Sequence, residues 1–235
     1  MTSIAENLKS VGTLINQAAL DAHRRPVDIT LLAVSKTRTA DELRELYLHG
    51  QKHFGENYLQ ESLDKMFALD DLAITWHFIG PIQSNKTRSI AENFDWVHSV
   101  DRLKVAQRLS EQRPQSLPSL NICLQINISG EESKSGCLPT EAEALLNQID
   151  TLPNLNVRGL MAIPAATDDT LAQQAALAAM QAMYIKLQKQ YPKFDTLSMG
   201  MSGDMQIAIR EGATMVRIGT ALFGPRHYTK TKNSN

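Results

Sequence analysis

The sequence predicts a single (β/α)8 barrel, the TIM barrel of the α/β class, with an extra helix at its N-terminus. Three observations predict it. Eight short β-type runs alternate with longer helical patterns from end to end, the order that builds a parallel sheet. Runs such as LLAV (31–34) and LQINI (124–128) are apolar without strict alternation, as expected of strands covered on both faces. Eight βα units in 235 residues also fit a closed barrel better than an open doubly wound sheet.

Each element has its own signal. Ser3 and Glu6 have capping-box spacing and open the extra helix. Residues 29–34 form the first strand, and a helix over 40–49 is closed by Gly50, a residue suited to the left-handed position after a helix. A weaker second strand over 52–54 precedes a helix over 57–69. Strands over 76–79 and 96–98 are followed by helices over 84–93 and 101–111. A strand over 121–128 leads to a helix over 140–150, where Thr140 and Glu143 again have capping-box spacing. Strands over 157–163, 196–199 and 215–218, separated by helices over 170–190 and 205–211, complete the set. Residues 1–228 are assigned to the barrel and 229–235 to a disordered polar tail.

Composition narrows the function classes. Hydrophobic residues make up 43% and charged residues 21%, the balance of a globular protein and not of a disordered one. Lys and Arg number 24 against 25 Asp and Glu, so no bulk attraction to nucleic acid or to an anionic membrane is implied. Glu6, Lys9 and Asn16 interrupt any secretory leader in the first 22 residues, and no run approaches the roughly 18 apolar residues of a membrane span. A cytoplasmic location is expected. Cys123 and Cys137, in no Cys-x-x-Cys pair, read as two inert thiols of a reducing compartment.

Barrel chemistry sits at the C-terminal ends of the strands. Lys36 directly follows the first strand; an ammonium among apolar walls and other cations gives up its proton more readily and becomes a nucleophile for carbonyls. A lysine that only ends a strand and points to water fits the same position. SMGMSGD (198–204) places Gly200, Ser202 and Gly203 before a short helix, and Gly219 and Thr220 close the eighth strand, the order in which barrels bind phosphate. An ordinary helix cap and a tightly packed glycine account for the same residues. Arg217, third in its strand, meets either the nitrogen of a bound aromatic, a buried carboxylate such as Glu56, or solvent. His49 and His53 are separated by Gly50, which breaks the helix they would need as a metal pair, and His77 and His98 read as structural strand residues. No metal site is expected, and no glycine-rich nucleotide motif is present.

Seven motifs in order carry a resemblance: AVSKT (33–37), FGENYLQE (54–61), WHFIGPIQSNK (76–86), GEESKSG (130–136), RGLMAIP (158–164), SMGMSGD (198–204) and VRIGTALFG (216–224). Together they resemble the pyridoxal 5′-phosphate (PLP) homeostasis family, the YggS/PROSC type, whose fold is similar to the N-terminal barrel of alanine racemase. The resemblance spans nearly the whole chain. It implies that Lys36 holds PLP as a Schiff base, that Ser202, Gly219 and Thr220 bind its phosphate, that Arg217 faces its ring nitrogen, and that Asn57 and Met201 line the pocket. It further implies a PLP carrier in vitamin B6 balance, with no catalytic residues of its own, a monomer that hands PLP to apo-enzymes. A racemase-like enzyme is the alternative, and a barrel aldolase acting on sugar phosphates the third reading. Alanine racemase takes a second base, a tyrosine, from a further β domain, and no motif marks Tyr58, Tyr184 or Tyr228 for that role.

Overall fold

The computed structural model describes residues 3–131, 134–165 and 167–225. Along them run α1 (Ile4–Asp21), β1 (Thr30–Val34), α2 (Ala40–Leu48), β2 (His53–Glu56), α3 (Leu59–Ala68), β3 (Thr75–Phe78), α4 (Thr87–Asn93), β4 (Trp96–Val100) and α5 (Leu103–Gln112). There follow β5 (Leu120–Ile126), α6 (Ala142–Ile149), β6 (Leu155–Ala162), α7 (Thr170–Gln188), β7 (Thr196–Ser198), α8 (Met205–Arg210), β8 (Met215–Ile218) and α9 (Thr220–Phe223). The eight strands pair in parallel in chain order, and β8 returns to β1 in the register Thr30 to Met215 through Ala33 to Ile218. The closed barrel and its extra N-terminal helix are thus present as predicted. The assigned tail, 229–235, lies outside the described residues.

Side-chain caps explain the starts of α1, α2 and α7. The Ser3 hydroxyl accepts from Glu6 N at 3.2 Å and the Glu6 carboxylate accepts from Ser3 N at 2.8 Å, the reciprocal cap the spacing predicts. The buried stripe Val11, Ile15, Ala18 and Ala19 then seats α1 in the core. An unpredicted second box forms at Thr39 and Glu42, at the head of α2. The predicted box at Thr140 does not form: α6 begins at Ala142, and the Glu143 carboxylate is drawn away to Lys186 of α7 at 2.8 Å. The helix predicted over 84–93 opens with a 3-10 turn, Ser84–Lys86, before α4. β2 continues to Glu56 because Gly55 and Glu56 pair with His77 and Phe78 of β3.

Strand residues divide by face. Ala33, Phe54, Phe78, Val97, Ile122, Leu160, Leu197 and Val216 join one apolar cluster with the helices. The alternate positions form two small apolar groups, one of Leu32, Ile79 and Met215 and the other of Trp96, Cys123 and Met161. Fully or nearly buried beside them are His77, His98, Ser198 and Arg217. A barrel interior is ordinarily filled by branched aliphatic side chains, so this polar belt is a departure.

The belt sets a pH dependence. Burial, aided by Arg217, pushes His98 down to about 3, and burial pushes His77 well below its ordinary value. The unfolded chain takes up a proton on each near pH 6.5 while the folded chain does not. Stability is therefore full above that pH and is lost as pH falls toward the folded values. His98 alone contributes about 1.4 kcal/mol per pH unit below about 6.5. Urea unfolding is expected to show a less stable protein at pH 5 than at pH 7, with a smaller difference in His98→Gln. Equal stability of the unsubstituted protein at both pH values contradicts this account.

Candidate functional site

A cavity of about 300 Å³ opens at the C-terminal ends of the strands, and all seven predicted residues line it: Lys36, Asn57, Met201, Ser202, Arg217, Gly219 and Thr220. Val34, Ile79 and Ile163 supply apolar wall, and Arg38 and Gly203 complete the lining.

Lys36 sits between two anchored neighbours. The Ser35 hydroxyl donates to Glu56 Oε1 at 2.6 Å, and its carbonyl accepts from Lys65 Nζ at 2.7 Å. On the other side Thr37, held at φ 64° in the left-handed region, donates its backbone N–H to Glu61 Oε1 at 2.6 Å. Lys65 links the two sides, since its ammonium also donates to Glu56 at 2.8 Å and to Glu61 at 2.5 Å. The pair Lys65 and Glu56 is buried; burial raises the Glu56 carboxyl and Lys65 opposes that shift.

Arg217 does not pair with Glu56, the carboxylate named as its possible partner. Lys65, one turn along α3 from Glu61, reaches Glu56 first. The guanidinium instead donates through Nη1 to Ser198 O at 2.7 Å and Ser198 Oγ at 2.9 Å, and through Nη2 to Ala162 O at 2.8 Å. Burial pushes Arg217 down to about 10, which leaves it charged at neutral pH. A guanidinium has five N–H donors, and among the described residues no acceptor takes the remaining two.

Two loops present backbone donors. Gly200 holds φ 94°, and a Cβ there would lie 2.5 Å from the Ala208 Cβ, so this tight turn requires glycine. Its carbonyl accepts from Arg217 N at 2.9 Å, tying the loop to β8. The Asp204 carboxylate accepts from Met201 N at 2.5 Å, and no acceptor among the described residues takes the N–H groups of Ser202 and Gly203. In α9 the first N–H bonded within the helix is that of Leu222, to Gly219 O at 2.9 Å, so those of Thr220 and Ala221 have no helical acceptor.

Asn57 closes the opposite side. Its Oδ1 is buried with no hydrogen-bond partner among the described residues, which costs about 1–3 kcal/mol unless something reaches it. Gly80 lies directly over it: a Cβ there would stand 2.3 Å from Asn57 O. Gly80→Ala is expected to displace the Asn57 backbone at a cost of about 1–3 kcal/mol and to weaken ligand capture, read by urea unfolding and ligand titration.

Arg38 carries no sequence signal, because a cation two residues past Lys36 matches no motif. It is buried, donates to Phe223 O at 3.2 Å and to Gly224 O at 2.5 Å, and lies over the Phe223 ring at 5.4 Å. It therefore ties the loop after β1 to the end of α9, itself too short to show a period. Among the described residues no cluster of three or more His, Cys, Asp or Glu could hold a metal, and no helix is long and apolar enough to cross a membrane. Burial also raises both thiols, Cys137 up to about 12, so neither is a reactive thiolate at neutral pH.

Apolar walls, unspent backbone donors on two loops, a cationic donor and an orphaned amide oxygen together suit a small planar aromatic carrying a phosphate. Residues 15–227 match the family model of the alanine racemase N-terminal domain. The chain is 59% identical to the pyridoxal phosphate homeostasis protein of Pseudomonas aeruginosa, covering 97% of this chain and 98% of that one. With the protein of that name from Escherichia coli K12 it shares 51% identity over 98% of this chain and 100% of the other. The structure of PipY from Synechococcus elongatus PCC7942 with PLP bound is 39% identical and superposes with a TM-score of 0.82, covering 94% of this chain and 100% of PipY. On this fold, this site and these relatives, the chain belongs to the pyridoxal phosphate homeostasis proteins, within the alanine racemase N-terminal domain family.

Proposed function

We propose that the protein binds PLP in the cavity at the barrel mouth, holds it covalently through the Lys36 amine, and serves vitamin B6 homeostasis in the cytoplasm as a carrier without robust turnover. The observation that carries the reading is the convergence of Lys36, Arg217 and the two donor loops of Ser202 and Thr220 on one cavity. When bound, the cofactor supplies an aldehyde that condenses with amines and a ring that stabilises negative charge. The N–H groups of Ser202, Gly219 and Thr220 receive the phosphate, Arg217 donates to the ring nitrogen, and Asn57 and Met201 border the ring. The PLP-bound PipY relative supports this reading.

Two features favour a carrier over an enzyme. Arg217 can only donate, and it disfavours a proton on any nitrogen facing it, which weakens the ring as an electron sink. Among the described residues no tyrosine lines the cavity: Tyr58 is exposed, and the Tyr184 hydroxyl donates to Phe194 O at 3.2 Å within the helix layer. PLP-dependent apo-enzymes are the recipients in this reading, and the carrier acts as a monomer.

The test is a visible spectrum of the protein mixed with PLP, then borohydride reduction and peptide mapping. A yellow protein whose adduct maps to Lys36 is expected. A colourless protein that ignores PLP refutes the reading. Exchange of an amino-acid α proton with deuterated water, at turnover rates, would establish the racemase-like alternative.

A further inference from the structure

The polar belt inside the barrel forms a continuous chain. From Arg217 the contacts run to Ser198 Oγ at 2.9 Å, from that oxygen to His98 Nδ1 at 3.0 Å, from His98 Nε2 to His77 Nδ1 at 2.9 Å, and from His77 Nε2 to His53 Nδ1 at 2.9 Å. It passes through β8, β7, β4, β3 and β2, from the cavity to a half-buried imidazole beside Trp96, Arg158 and Asp195 at the opposite end of the barrel.

We infer that Ser198 and His98 are positioning residues for Arg217, set in a chain with a single proton order in which His98, His77 and His53 all carry their proton on Nε2. The order follows from the arginine. A guanidinium donates and never accepts, so Ser198 Oγ must accept from it. Among the described residues the only other partner of that hydroxyl is His98 Nδ1, so the Ser198 proton goes there. A neutral His98 then has its proton on Nε2 and donates to His77 Nδ1, and by the same step His77 donates to His53. The reverse order would aim both Arg217 and His98 donors at Ser198 Oγ and leave the hydroxyl proton, fully buried, with no acceptor.

The order has a purpose at the site. With its hydrogen committed to His98, Ser198 Oγ keeps its lone pairs toward Arg217 and cannot turn away. His98 is fixed in turn by His77, which stacks on Trp96 with centroids 5.4 Å apart and planes 17° apart. The guanidinium is thereby clamped on its barrel side and keeps its spare donors for the cavity. That last consequence rests on the reading of Arg217 proposed above; the proton order does not.

Long-range proton–nitrogen NMR of the 15N-labelled, PLP-free protein at neutral pH reports which nitrogen of each imidazole is protonated. Signals are assigned with single His53→Gln, His77→Gln and His98→Gln variants. Three Nε2–H rings are expected; an Nδ1–H or doubly protonated His77 or His98 overturns the inference, whether or not any variant folds. Ser198→Ala is expected to shift the His98 Nδ1 resonance and to weaken PLP capture about tenfold, ~1.4 kcal/mol, with Ser198→Thr restoring both because it keeps the hydroxyl. Unchanged His98 nitrogens or unchanged PLP affinity in folded Ser198→Ala overturns the positioning role. If the unsubstituted protein shows the stated order yet binds no PLP, the cofactor reading falls and the proton order stands.

Discussion

Lys36→Ala is expected to abolish the borohydride-fixed adduct and to weaken PLP binding by at least about a hundredfold, ~2.7 kcal/mol. Among the described residues no other lysine lines the cavity, so no second amine there can take over. The donor loops and Arg217 remain, and they leave a weak, non-covalent complex. Surface lysines react slowly with any aldehyde, which is why the readout must be the modified peptide and not the colour alone. An adduct of undiminished yield in Lys36→Ala would move the covalent role to another residue. If reduction instead traps a sugar phosphate on Lys36 and never PLP, the aldolase reading replaces the carrier.

Lys65→Met is expected to cost about 3–5 kcal/mol in urea unfolding at neutral pH, the scale of breaking a buried ion pair from one side. The methionine fills the space but abandons three acceptors: Ser35 O, Glu56 Oε1 and Glu61 Oε1. Glu56 has no solvent exposure, and its Oε2 already has no partner among the described residues, so its charge would be left uncompensated. Burial already raises the Glu56 carboxyl, and loss of Lys65 removes what opposes that shift. A group whose folded pKa is raised binds its proton more tightly when folded, so its stability contribution is lost as pH rises through that window. The variant is therefore expected to lie closer to the unsubstituted protein at low pH than at neutral pH. Adding Glu56→Gln should recover part of the loss, a coupling that a double-mutant cycle measures. The same variant frees Ser35 and slackens the Glu61 hold on Thr37, so PLP capture by Lys36 should weaken as well. A cost under about 1 kcal/mol would show that the pair does not anchor this loop.

Lys36, Ser202, Gly219 and Thr220 are legible in the sequence because barrel topology places all strand C-termini at one mouth; a residue's position after its strand then decides its place. Arg38 is not legible, because its partners, the carbonyls of Phe223 and Gly224, are 185 and 186 residues away and backbone acceptors carry no sequence signature. The Thr140 box is absent for a related reason. Its spacing is local, but Glu143 has a stronger partner on α7 that no local pattern reveals. His77 and His98 lie in strands, as their neighbours in the sequence suggest, yet the contact between them leaves no local trace.

The order of elements, the closure of the barrel and the residues at its mouth are written in the sequence, because hydrophobic period, caps and glycine positions are properties of neighbouring residues. Which polar groups satisfy one another inside the barrel is settled only by the folded arrangement: Lys65 with Glu56, Arg217 with Ser198, and His98 with a serine 100 residues further on. A buried polar group must find a partner within about 3 Å wherever the chain brings one, and that distance is set by how the strands pair and not by separation along the sequence.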